Sequence, residues 1–115
     1  MFSSHDNLKN KHCVPCEGGV PPLPQEDVRR YLFKLRGGWE AADNKKIRRE
    51  FKFKNFRDAM NFANRIAEIA ERENHHPDLH VSYGKVAVEL TTHALSGLSE
   101  NDFILAAKID ALNKG

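Results

Sequence analysis

A chain of 115 residues, 40% hydrophobic and 30% charged, has the composition of one globular domain and excludes a disordered, collagen-like or membrane-spanning protein. Its net charge of +2 comes from 18 Lys and Arg interspersed with 16 Asp and Glu, so composition makes no case for a nucleic-acid partner. No apolar run is long enough to cross a bilayer, and the polar opening Met1 to Lys11 lacks the apolar middle of a secretory signal; the expected location is cytoplasmic, away from membranes.

Residues 1–23 carry prolines, Gly18-Gly19 and few periodic apolar positions, and read as an irregular arm ahead of a single domain at 24–115. Val28, Tyr31, Leu32 and Leu35 then recur at helical spacing behind acidic Glu26 and Asp27, with Gly37-Gly38 as a stop. Trp39 to Ala42 and Ile47 to Lys54 flank a polar Asp43-Asn44 turn. In the second run Ile47, Phe51 and Phe53 alternate with Arg48, Glu50, Lys52 and Lys54, the pattern of a hairpin with one wet face.

Asn55 is placed to cap a long helix, with Asp58 three residues on and Ala59, Phe62, Ala63, Ile66, Ile69 and Ala70 along one face; Pro77 is expected to stop it. Leu79, Val81 and Tyr83 alternate before Gly84-Lys85, and Val86, Val88 and Leu90 after it, predicting a second hairpin with a two-residue loop at Gly84-Lys85. Ser99 with Asp102 opens a last helix bearing Phe103, Leu105, Ala106, Ile109 and Leu112. The predicted fold is α+β: a four-stranded antiparallel sheet with three helices packed on one face, in the order α-β-β-α-β-β-α.

The histidines are the unexplained feature. His75, His76, His80 and His93 cluster around the second hairpin, beside Glu71, Asn74 and Asp78. A loop at Gly84-Lys85 pairs Leu79 with Leu90 and, extended, sets His76 opposite His93, on the side of the hairpin away from Leu79, Val81, Val86 and Val88. Glu71, one helical turn before His75, is placed to hydrogen-bond that imidazole, and Pro77 biases His76 out of helical geometry toward an open pocket. Imidazole changes charge near neutral pH, so three converging rings suit proton transfer. The plain alternative is histidines that satisfy a helix C-terminus.

Other patterns carry less. Cys13 and Cys16 with two histidines could make a zinc site, or the thiols a redox couple, but the pair stands alone in an irregular arm without the flanking strand and helix that activate such thiols; ordinary thiols packing on the domain are the simpler reading. Lys45, Lys46, Arg48, Arg49, Lys52, Lys54 and Arg57, interleaved with Phe51, Phe53 and Phe56, look superficially like a nucleic-acid surface; strand alternation explains them without one.

Glu71, His75-His76-Pro77, Tyr83, Thr92-His93 and Asp102, in this order and spacing, resemble the signature of the pterin-4a-carbinolamine dehydratases, and Gly97-Leu98-Ser99-Glu100 is similar to the segment that follows that family's last histidine. The resemblance runs from Gln25 to the C-terminus. It implies a hydro-lyase that dehydrates 4a-hydroxytetrahydropterin to quinonoid dihydropterin, recycling the pterin of an aromatic amino acid hydroxylase with neither metal nor cofactor. It implies His75, His76 and His93 as active-site residues, with His75 and His93 as acid and base and His76 binding or orienting the pterin. Glu71 is then a support for His75, Asp102 the family's final acidic position, and Asn74, Pro77 and Tyr83 binding or supporting positions. A homodimer or homotetramer is also implied, as is, for some relatives, a second role as partner of a transcription regulator. Leu79 and Asn101 depart from the tryptophan and arginine of the better-known animal members.

Overall fold

The computed structural model describes residues 8–15, 21–35 and 37–113; Cys16 and the remainder of the arm lie outside the described residues. Helix α1 spans Gln25–Lys34 and is followed by Gly37 and Gly38 at φ 93° and 90°. Gly38 is needed twice over, because a Cβ there would stand 2.7 Å from Arg49 Nε as well as in a left-handed backbone. Strands β1 (Glu40–Ala42) and β2 (Lys46–Lys52) form the first hairpin, α2 spans Phe56–Glu73, β3 (Asp78–Ser82) and β4 (Lys85–Leu90) form the second, and α3 spans Glu100–Leu112. The strands make one antiparallel sheet in the order β1-β2-β4-β3, the α+β order expected from the sequence.

The alternation that defined the strands also sets the core. Ile47 and Phe51 of β2 and Val86, Val88 and Leu90 of β4 are buried, and α2 covers them with Ala59, Phe62, Ile66 and Ile69. Full burial of each large apolar side chain contributes ~1.5–3 kcal/mol, so this layer is the main stabilising contact. Asn55 caps α2 as predicted, its Oδ1 accepting the Asp58 N–H at 2.8 Å. Helix α3 packs on α2 and α1 and buries Phe103, Ile104, Leu105, Ala106 and Ile109 together with Asn101 and Asp102; covered on most sides, it is an interior helix.

On the opposite sheet face Lys46 and Arg48 of β2 are paired with carboxylates. Arg48 reaches Glu50 at 2.9 Å and Glu89 at 3.5 Å, Lys46 reaches Glu89 at 3.3 Å, and Lys85 lies 3.8 Å from Glu50. The Arg48 guanidinium and the Lys85 ammonium hold the Glu50 carboxyl below its ordinary range. Arg49 shares the parity of Ile47 and Phe51; it lies over the Phe51 ring and ends on Asp110 of α3 at 2.8 Å, which also accepts the Trp39 indole N–H at 3.0 Å.

The second hairpin differs from the predicted register by two residues. Asp78 pairs with Glu89, Leu79 with Val88 and Val81 with Val86, leaving Tyr83-Gly84 as the loop instead of Gly84-Lys85. The reason lies outside the hairpin: Phe53 N–H donates to Gly84 C=O at 2.8 Å, and a Cβ on residue 84 would meet Phe53 O at 2.8 Å, so the glycine has to sit where the turn crosses the end of β2. A shift of two preserves the faces, and Leu79 and Val81 still point to the core while His80 is exposed. Residues 8–15 of the arm form no strand or α-helix, yet Leu8 is 2% exposed within the core.

Candidate active site

Helix α2 ends three residues earlier than Pro77 would require. Asn74 takes the left-handed conformation, φ 54° and ψ 41°, which asparagine tolerates better than most residues, and His75 N–H closes back onto Ala70 C=O at 3.2 Å. The chain leaves the helix there, carrying His75 and His76 away from it.

His75 is largely buried and its Nε2 lies 2.7 Å from Asp102 Oδ1. Asp102 is fully buried in the first turn of α3, and its other oxygen accepts the Ser99 N–H at 3.0 Å and the Thr92 hydroxyl at 2.8 Å. Thr92 has one hydroxyl proton and gives it to Asp102, so the 2.7 Å contact between Thr92 and Ser99 is donated by Ser99. One carboxylate thus caps α3, ties it to the end of β4 and fixes the His75 ring. With Nε2–H directed at Asp102, the neutral ring keeps its lone pair on Nδ1, a tautomer inferred from the partner.

Glu71 is not the residue that holds His75. Its carboxylate meets His76 Nε2 at 2.7 Å, both side chains being exposed. The one-turn spacing from Glu71 to His75 holds only inside a continuous helix, and the left-handed Asn74 interrupts it, so the next ring along comes back over Glu71.

His93 does not lie on an extended strand. Strand β4 ends at Leu90, Thr92 bridges to Gly97, and His93–Leu95 form a 3-10 turn closed by left-handed Ser96 at φ 54°. His93 is exposed on this turn and still shares a cleft with the other two histidines, by a route unlike the predicted His76–His93 strand pairing.

That cleft has a volume of about 370 Å³ and is lined by Asn74, His75, His76, Thr91, Thr92 and His93. Its remaining wall consists of Ala94 and of Cys13, Val14 and Pro15 of the arm with Glu73 and Asn101. Glu71 and Pro77 border the histidines without lining the cleft, and Tyr83 stands 71% exposed at the loop of the second hairpin, outside it. Among the described residues no three His, Cys, Asp or Glu side chains are gathered as a metal-binding set.

Glu73 is a site residue that sequence reasoning missed, and Asn101, noted only as a departure from the family's arginine, was not expected to hold the arm. Glu73 continues the apolar stripe of Ile66, Ile69 and Ala70, and a carboxylate on a buried stripe was the available signal. Its Oε1 accepts the Cys13 N–H at 2.8 Å, and its Oε2 lies 2.9 Å from His12 Nδ1 and 3.6 Å from Lys108 Nζ. Burial pushes this carboxyl upward, but the Cys13 N–H, the His12 ring and the Lys108 ammonium outweigh it, and it sits below its ordinary range.

The sequence pattern described as Pterin 4 alpha carbinolamine dehydratase matches residues 21–112. The chain belongs to that family. Proteins carrying the family's name from Nitrosomonas europaea and Alkaliphilus metalliredigens are 54% and 47% identical to it, over 94% and 91% of this chain and 95% of each relative. A crystal structure of a transcriptional coactivator/pterin dehydratase from Brucella melitensis superposes with a TM-score of 0.76 at 35% identity, covering 81% of this chain and 99% of that one. A pterin dehydratase-like protein identified as a RuBisCO assembly factor in the alpha-carboxysome shares the fold, with a TM-score of 0.57 at 22% identity over 67% of this chain and 90% of its own. The fold of the pterin 4 alpha carbinolamine dehydratases is therefore also found in a protein with an assembly role. No described helix is long and apolar enough to cross a membrane.

Proposed function

We propose that this member of the family is an active dehydratase converting 4a-hydroxytetrahydropterin to quinonoid dihydropterin and water. The observation that carries the reading is His75 locked by buried Asp102 in a cleft shared with His76 and His93. In the reaction the C4a–O bond breaks and the hydroxyl leaves as water with an added proton; N5 gives up its proton and C4a–N5 becomes a double bond. His75, with its Nδ1 lone pair set by Asp102, takes the N5 proton, exposed His93 supplies the proton to the leaving hydroxyl, and His76, steadied by Glu71, orients the ring. Positioned acid and base groups of this kind are worth about 10² to 10⁴ in rate. Imidazoles supply both proton transfers, so the reading requires neither metal nor cofactor. The product would serve an aromatic amino acid hydroxylase in the cytoplasm, with the enzyme acting as a homodimer or homotetramer.

The test is stopped-flow decay of chemically generated 4a-hydroxytetrahydropterin with wild-type protein, a chelator-treated sample and a His75→Ala, His93→Ala double variant. Acceleration that survives chelation and is lost in the variant is the expected result; no acceleration by folded wild-type protein would sink the reading. That second outcome favours a binding partner of a transcription regulator; the Brucella relative is named a transcriptional coactivator as well as a pterin dehydratase. Such a role would survive substitution of the histidines.

A further inference from the structure

Glu73 and Asn101 are buried polar residues on two different helix ends, and both are turned to the arm. Asn101 brackets one residue from both sides: its Oδ1 accepts the Val14 N–H at 3.0 Å, and its Nδ2 donates to the Val14 C=O at 2.6 Å. Glu73 takes the preceding N–H, that of Cys13, at 2.8 Å. Further back, Lys11 meets Glu100 at 2.7 Å, Lys108 donates to Lys9 C=O at 2.9 Å, and Leu8 is sunk in the core. A segment with no more regular structure than a 3-10 turn at 8–10 is therefore held through the backbone of Lys9, Cys13 and Val14 and the side chains of Leu8 and Lys11. Val14 meanwhile lines the cleft and stays 65% exposed. Burying an amide and a carboxylate to hold a loop costs desolvation that an apolar contact would avoid, and what it yields is a stiff edge of defined position.

We propose that residues 13–15 are a built wall of the substrate cleft and that Asn101 is a positioning residue which sets affinity for the pterin ring by holding Val14 and Pro15 against it. The inference rests on the pterin reading above. A flat heteroaromatic ring gains from an apolar edge already in place, because no loop has to be ordered when it binds. The wall is held by Glu73 and Asn101, which neither give nor take a proton in that reading. Its contribution is the same in the ground state and the transition state, and it governs KM and not kcat.

The experiment compares wild-type protein with Asn101→Ala, Asn101→Asp and Val14→Ala, reading KM and kcat by stopped flow and the Kd of 7,8-dihydropterin by fluorescence titration. Losing both bonds to Val14 in Asn101→Ala raises KM and Kd about tenfold with kcat within about twofold, the scale of one or two hydrogen bonds. Asn101→Asp, which keeps the acceptor for the Val14 N–H but sets a second acceptor against the Val14 C=O, raises them at least as far. Val14→Ala, at an exposed position that leaves the fold intact, raises both constants about threefold. Unchanged KM in Asn101→Ala and Val14→Ala, with faster amide exchange at Val14 in the former, would reduce the arm to a structural strap and overturn the proposal. So would a fall in KM, meaning that the arm obstructs the cleft, or a fall in kcat alone, meaning that it acts through His75. Wild-type protein that neither accelerates the decay nor binds dihydropterin removes the pterin reading itself, and the wall with it.

Discussion

Replacing Asp102 with asparagine separates the two tasks that one carboxylate performs. The side chain is fully buried and receives three donors: His75 Nε2 at 2.7 Å, the Thr92 hydroxyl at 2.8 Å and the Ser99 N–H at 3.0 Å. An asparagine of the same shape has one acceptor oxygen. Kept toward Thr92 and Ser99, that oxygen preserves the helix cap with neutral bonds in place of charge-assisted ones, each weaker by about 1 kcal/mol. Its NH₂ then faces Nε2, and the third bond is reversed and also becomes a neutral one, so Asp102→Asn is expected to lose about 3 kcal/mol of a total near 5–15 and still fold. The catalytic consequence is larger in kind: Nε2 must now accept, the ring proton moves to Nδ1, and the lone pair proposed to take the N5 proton disappears. The rate over background should fall by about a hundredfold or more at neutral pH. Urea unfolding reads the first effect, stopped flow the second, and ¹⁵N shifts of the His75 ring the tautomer between them. A variant that loses stability as stated yet turns over at the wild-type rate where it is fully folded would refute the assignment of His75 as base, leaving Asp102 a structural cap only.

Glu73 predicts a pH response of the arm. Its folded carboxyl lies below the unfolded value, so its contribution is complete above the ordinary carboxylate range, about 4.3, and is lost as pH falls through the folded value. Amide exchange at Cys13 and Val14, corrected for intrinsic rates, should stay slow from neutrality to about pH 5 and quicken below it. Glu73→Gln should weaken protection already at neutral pH and flatten the dependence; protection indifferent to acid in the wild type would count against the clamp. Asn74, at φ 54°, should tolerate glycine, whereas alanine costs about 1 kcal/mol and a β-branched residue more. Thermal unfolding of the three variants checks this, and equal melting temperatures would mean that the left-handed cap does not limit the end of α2.

Much of this protein was legible in the sequence because the signals are local or periodic. The alternation of Ile47, Phe51, Val86 and Val88 marks strand faces, the stripe through Phe62 and Ile66 marks α2, and Asn55 and Ser99 mark helix starts, since each depends on neighbours within a few residues. The ordered signature from Glu71 to Asp102 likewise identified the family whose pattern matches residues 21–112. What the sequence could not decide were partners chosen by packing between distant segments. The hairpin register turned on Gly84 passing the backbone of Phe53, the pairing of Glu71 with His76 on the left-handed reversal at Asn74, and the hold on His75 on Asp102 arriving from α3. The arm is the clearest case: residues 8–15 show no periodicity, and only the meeting of the ends of α2 and α3 brings Glu73 and Asn101 together as a seat for them. Periodicity records which face of an element is buried; it holds no record of which buried groups meet, because that depends on distances closed only when the whole chain has packed.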